Sequence, residues 1–117
     1  MQHENTHPDD HTTVVHLSGE LDVSQTLAVR DLVLAEIAPG RRLVVDLTSV
    51  PFIDSSGIGM LVGAHRAAIA AEAWFGVCGA DATVTKVFEL TRTNRVLRVF
   101  TDSVTALSAP TMEVQTS

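Results

Sequence analysis

Cysteine and lysine occur once each in the 117 residues, and nowhere do about 20 apolar residues run without interruption. Cys78 lies in the apolar segment WFGVC with no second cysteine to pair with, so an intrachain disulfide is excluded and a reducing cytoplasm is expected. Lys86 and seven scattered arginines face 14 acidic residues, which leaves a net charge of −6 and no basic stripe to neutralise a phosphate backbone. Direct nucleic-acid binding is therefore not expected. The most apolar region, residues 57 to 80, is broken by His65, Arg66 and Glu72, so no membrane span is expected either. The opening MQHENTHPDDH lacks the apolar core of an export signal.

A hydrophobic content of 45% over this length suits one domain with a real core, and there is no internal repeat or interdomain linker. Residues 1–11 are charged and aperiodic and are expected to form a disordered tail, 12–110 the domain, and 111–117 a flexible tail. His3, His7 and His11 would share one face of a helix as metal ligands, but Pro8 interrupts them, and no metal site is expected. TVVHLSG alternates like a strand and ELDV reads as a second short one. Ser24 is placed to cap a helix over QTLAVRDLVLAEIA, with Leu27, Leu32, Leu34 and Ile37 as its apolar face, before Pro39-Gly40 stops it. LVVDL predicts a strand covered on both faces. After it come a helix from about Gly57 to Ala71, a strand at Trp74 to Cys78, a helix over DATVTKVFEL capped by Asp81, a short strand near VLRVF and a last helix over DSVTALSA. This alternation predicts an α/β fold: one mixed, mostly parallel β-sheet of four to five strands with crossover α-helices.

FIDSSGIGML, residues 52 to 61, places two hydroxyls at a strand-to-helix corner. One serine suffices to cap the helix that follows, so the other is spare. At 100° per residue Ile58, Leu61, Val62, His65, Ala68 and Ile69 form a core-facing arc, with His65 read as a core or boundary histidine. Gly59, Gly63, Arg66 and Ala70 fall on the opposite stripe. Each helix-interior glycine costs roughly 1 kcal/mol relative to alanine, so two of them on one exposed stripe need a reason. Close approach by another protein is one; packing inside the domain is the other.

The segments GELDVSQT, LVVDLTSVPFIDSSGIGMLVGAHR and TKVFELTRTNRVLRVF resemble the STAS-domain anti-sigma factor antagonist family, over about residues 12 to 110. Asp54-Ser55-Ser56-Gly57-Ile58-Gly59 is the most specific part of the likeness. The resemblance implies that Ser55, immediately after the Asp, is phosphorylated by a partner anti-sigma factor, a serine kinase of the histidine-kinase-like ATPase type, with Ser56 left as the helix cap. It implies also that the unphosphorylated domain binds that partner and frees a sigma factor, and that a serine phosphatase restores the active form. The partner surface is then expected to comprise Asp22, Asp54, Ser55, Ser56, Gly57, Gly59, Gly63 and Arg66. No cofactor or enzymatic activity is expected. Where the family usually has a serine or asparagine followed by glycine, this chain has Thr93-Asn94; asparagine tolerates the left-handed conformation the glycine would adopt.

Four other readings compete. Asp22, Asp46 and Asp54 could hold magnesium, as in a response-regulator receiver, but the adjacent acids and late lysine of a receiver are missing. DSSGIG is not a G-x-S-x-G nucleophile elbow, and His65, on the core arc, is badly placed to serve Ser55 as a base. Gly57, Gly59 and Gly63 at a helix start could bind a nucleotide phosphate, yet no G-K-[ST] follows. A STAS scaffold or small-ligand-sensing module without a sigma-factor pathway is the nearest rival.

Overall fold

Apolar side chains occupy alternate positions on both faces of the central strands, which leaves a sheet that must be covered on each side. A computed structural model of the chain, describing residues 1–109, realises this as β1 (Gln2–Asp9), β2 (Thr12–Ser18), α1 (Val23–Leu34), β3 (Arg42–Ser49), α2 (Ser55–Ala70), β4 (Trp74–Cys78), α3 (Ala82–Leu90), a 3-10 turn (Thr93–Arg95), β5 (Val99–Phe100) and α4 (Ser103–Ser108). The five strands lie in sequence order; β1 is antiparallel to β2, and every later pair is parallel. The mixed, mostly parallel α/β sheet expected from the sequence is thus what forms.

On one face Val15, Leu17, Leu43, Val45, Leu47, Phe75 and Val77 meet α1, α2 and α3 through Val29, Val33, Ile58, Leu61, Ala68, Val84 and Phe88. On the other, Val14, Val44, Trp74 and Cys78 meet Ala106 of α4. Arg42 is buried there, donates to the carbonyls of Ala106 and Ala109, and stands 4.5 Å over the Trp74 ring. A buried cation thereby satisfies the Ala109 carbonyl at the end of a short helix and adds a second donor to the Ala106 carbonyl, which also accepts from Ala109 N–H.

Several local expectations are revised. Residues 2–9 are not a disordered tail but β1, an edge strand whose every residue is exposed. Its stability comes from the backbone ladder to β2 rather than from an apolar face. A register shift between Thr6 and Asp9, around Pro8, blunts its free edge. Within β1 the four-residue histidine spacing gives about 13 Å of separation between His3 and His7, too far for one ion. Leu21 makes only an isolated bridge rather than a second short strand. The expected tail 111–117 lies outside the described residues.

Helix phases shift too. Val29 and Val33 face the core, so Leu27, about 200° round the helix from Val29, is 68% exposed. In α2 the buried arc turns toward Met60 and Ala64, leaving Ile69 60% exposed. Left-handed backbone near the 3-10 turn falls on Arg92 (φ 59°), not on Asn94.

His65 is buried against Phe75, and its Nδ1 has no hydrogen-bond partner. Burial, then the charges of Arg98 and Arg66, lower its pKa below the usual histidine value. A histidine kept neutral in the fold contributes stability above its unfolded pKa, and that contribution is lost as acidification protonates the unfolded chain first. Urea midpoints measured at pH 7 and pH 5.5 are therefore expected to fall less in His65→Leu than in the parent chain.

Candidate functional site

The corner is assembled by two short extended segments that run side by side before their helices. Leu21 and Ile53 form a parallel bridge, with Leu21 N–H donating to the Phe52 carbonyl at 2.9 Å and Asp54 N–H to the Leu21 carbonyl at 3.2 Å. This pairing brings the starts of α1 and α2 together, in matching D-x-S turns: Asp22-Val23-Ser24 and Asp54-Ser55-Ser56. In the first, Asp22 Oδ1 accepts from Ser24 N–H at 3.0 Å and Ser24 Oγ at 2.6 Å. In the second, Asp54 Oδ1 accepts from Ser56 N–H at 2.9 Å, Ser56 Oγ at 2.5 Å and Gly57 N–H at 3.1 Å.

The N-caps are accordingly Asp22 and Asp54, not Ser24 and Ser56. Both residue types cap well, and the serines sit two positions too late to be the half-in residue. Asp54 does more than cap its own helix, because its Oδ2 accepts from Val23 N–H at 3.1 Å, the first residue of α1. The Ser56 hydroxyl, then the backbone N–H groups around it, hold the Asp54 carboxyl below the usual aspartate range. This contribution to stability is present above the unfolded aspartate pKa and is lost as pH falls through the folded value.

These bonds separate the two serines. Ser56 Oγ is engaged by Asp54 and by Thr26 Oγ1 at 2.9 Å, whereas Ser55, in the first helical position, is exposed, and no hydrogen bond engages its side chain among the described residues. The glycines separate as well. A Cβ on Gly57 would come 2.7 Å from Ile53 Cγ1 and 2.9 Å from the Leu21 carbonyl oxygen, so this buried glycine belongs to the bridge and not to the partner surface where the sequence placed it. Gly59 and Gly63 are exposed with open space where a Cβ would go, which removes intradomain packing as their explanation.

Arg66 shares their exposed stripe but lies 11 residues beyond Ser55, about 16 Å along the helix axis. It is out of reach of a group on Ser55. Asp46 is remote from Asp22 and Asp54 in its bonding, being tied to Thr48 and His16, so the three acids form no common cluster. Cys78 is fully buried, and burial, then Asp46 beside it, pushes its thiol up to about 12, which leaves it without nucleophilic thiolate.

Sequence reasoning missed the apolar rim. Val23 is 76% exposed, Leu27 68% and Phe52 45%, on the elements that frame Ser55. Phasing α1 from Val29 and Val33 would have placed Val23 and Leu27 outward. Among the described residues no helix is long and apolar enough to cross a membrane.

Known proteins resemble the chain along most of its length. An anti-sigma F factor antagonist of Paenibacillus polymyxa is 26% identical over 98 residues, covering 81% of this chain and 83% of the relative. A crystal structure of an anti-sigma factor antagonist from Mycobacterium paratuberculosis has a TM-score of 0.81 at 25% identity, covering 92% of this chain and 91% of that one. The Bacillus cell fate determinant SpoIIAA in its phosphorylated form has a TM-score of 0.65 at 20% identity, covering 90% and 96%. The first two names describe antagonists of another protein rather than catalysts. A family model for the STAS domain matches residues 3–106, spanning all five strands and the paired helix starts, and this chain belongs to the STAS domain family.

Proposed function

We propose that this protein is an anti-sigma factor antagonist acting in the cytoplasm, which binds a serine-kinase anti-sigma factor of the histidine-kinase-like ATPase type while Ser55 is unmodified and thereby releases a sigma factor. Phosphorylation of Ser55 ends the interaction, and a serine phosphatase restores it. The observation that carries this reading is the free, exposed Ser55 hydroxyl at the paired helix starts, with exposed Val23, Leu27 and Phe52 on the paired segments and the bare Gly59–Gly63 stripe further along α2. A kinase needs a hydroxyl it can reach and orient, and Ser55 supplies one while Ser56 is tied down. The antagonist names of the relatives, and the phosphorylated state in which one was solved, support the same reading.

The test is phosphate transfer from labelled ATP by the cognate anti-sigma factor. Ser55→Ala is expected to abolish incorporation, while Ser56→Ala retains it. Label that persists in Ser55→Ala, or disappears in both variants, overturns the assignment.

A second reading, a small-ligand-sensing STAS module, draws on a groove of about 610 Å³ between β1 and α1, floored by Val29 and Leu32. Asp31 and Glu36 line it and no lysine or arginine does, which disfavours a nucleotide there. Calorimetry with millimolar ATP or GTP is expected to show no heat of binding.

A further inference from the structure

On the sheet face opposite α1 and α2, three strands align a hydroxyl, an imidazole and a carboxylate. Thr6 Oγ1 of β1 lies 2.9 Å from Nε2 of His16 on β2, and His16 Nδ1 lies 2.7 Å from Asp46 Oδ2 on β3. The other Asp46 oxygen is fixed by Thr48 N–H at 2.9 Å and Thr48 Oγ at 2.5 Å. Space for that turn exists because position 79 is glycine, where a Cβ would stand 2.8 Å from Asp46 Oδ1. Burial opposes ionisation of Asp46, but the Thr48 hydroxyl and amide and then His16 outweigh it and hold the carboxyl below the usual aspartate range. An ionised carboxylate only accepts, so Nδ1 carries a proton, and in the neutral ring the Nε2 lone pair faces the threonine hydroxyl.

We propose that Thr6 is a base-activated hydroxyl that accepts a single acyl group from an activated acyl donor such as an acyl phosphate. A hydroxyl within hydrogen-bond reach of an imidazole, itself oriented by a third group, is the arrangement that makes an alcohol nucleophilic near neutral pH. Thr6 is exposed and the His16 side chain 35% exposed, so a small donor can reach the pair, and α4 packs on β3, β4 and β5. In the step, Thr6 Oγ bonds to the acyl carbon as His16 Nε2 takes the hydroxyl proton. The bond from the acyl carbon to the leaving oxygen breaks with its electron pair going to that oxygen, which receives the proton from His16. The product is a threonine ester, and a single equivalent is consumed. Neither buried Cys78 nor Ser55, which no histidine contacts, offers a comparable centre.

The probe is p-nitrophenyl acetate with the full chain. One equivalent of nitrophenolate is expected, with the acetyl group mapped to Thr6 by peptide mass spectrometry. Thr6→Val should abolish this labelling and Thr6→Ser restore it; both sit at an exposed strand position and leave the fold intact. His16→Gln and Asp46→Asn should slow it by about 100-fold or more, the first by removing the base and the second by turning the ring. Acetyl on Lys86, on the chain terminus or on the His16 ring instead of Thr6, no acetylation at all, or Thr6 labelling at the parent rate in a folded His16→Gln, overturns the proposal.

Discussion

The chain phosphorylated on Ser55 is expected to bind the proposed kinase anti-sigma factor about two orders of magnitude more weakly than the unmodified chain, while Ser55→Ala binds as the parent does. A phosphoserine adds about −1.5 to −2 charges. The positive end of α2 favours that charge by roughly 0.3–1 kcal/mol, but the gain is present in the free and the bound domain alike and cancels in the affinity. What does not cancel is desolvation. A partner fitted to an uncharged hydroxyl, an apolar rim and bare glycine backbone must strip water from a dianion that Arg66 cannot reach and that Asp22 and Asp54 flank. Each 1.4 kcal/mol is about tenfold in affinity, so incomplete burial of the phosphate already reaches the expected loss. Calorimetric titration of the two forms measures it directly; Ser55→Asp, with one charge, should fall between. Equal affinity of all versions would refute the exclusion mechanism.

The second large effect concerns three glycines of one helix that respond in opposite directions. Gly57→Ala is expected to destabilise the fold by about 1–3 kcal/mol, because the added methyl meets the Leu21 carbonyl, which is backbone and cannot rotate away. Gly59→Ala and Gly63→Ala meet nothing and gain helix propensity, up to about 1 kcal/mol each. Urea unfolding separates the two classes. The same stabilising substitutions, extended to Gly59→Leu and Gly63→Leu, are expected to weaken partner capture, because they raise a ridge where close approach is needed. A neutral Gly57→Ala would show that the Leu21–Ile53 bridge yields more easily than its contacts suggest.

Legibility in the sequence followed the source of each element's stability. Buried parallel strands such as LVVDL declared themselves as apolar runs, and the corner stood out through its glycines and hydroxyls. β1 did not, because a polar edge strand in a hairpin carries no hydrophobic alternation; Pro8 and the charges that made it look like a tail are what keep its outer edge unpaired. The D-x-S turns were ambiguous because both residues are good caps, and geometry alone chooses the Asp. Separating Gly57 from Gly59 required knowing that Leu21 lies beside Ile53, a contact 32 positions apart that no local pattern encodes. The Thr6–His16–Asp46 alignment depended in turn on β1 being a strand.

That same bridge decides what any recogniser of this corner perceives. Val23 and Ser55 are brought together because two separated stretches of chain are laid side by side and fastened by backbone hydrogen bonds, one carboxylate and a pair of hydroxyls. A synthetic fragment carrying the DSSG tetrapeptide would present half of a conformational epitope, so peptide arrays and linear mimics should make poor substitutes for the intact domain.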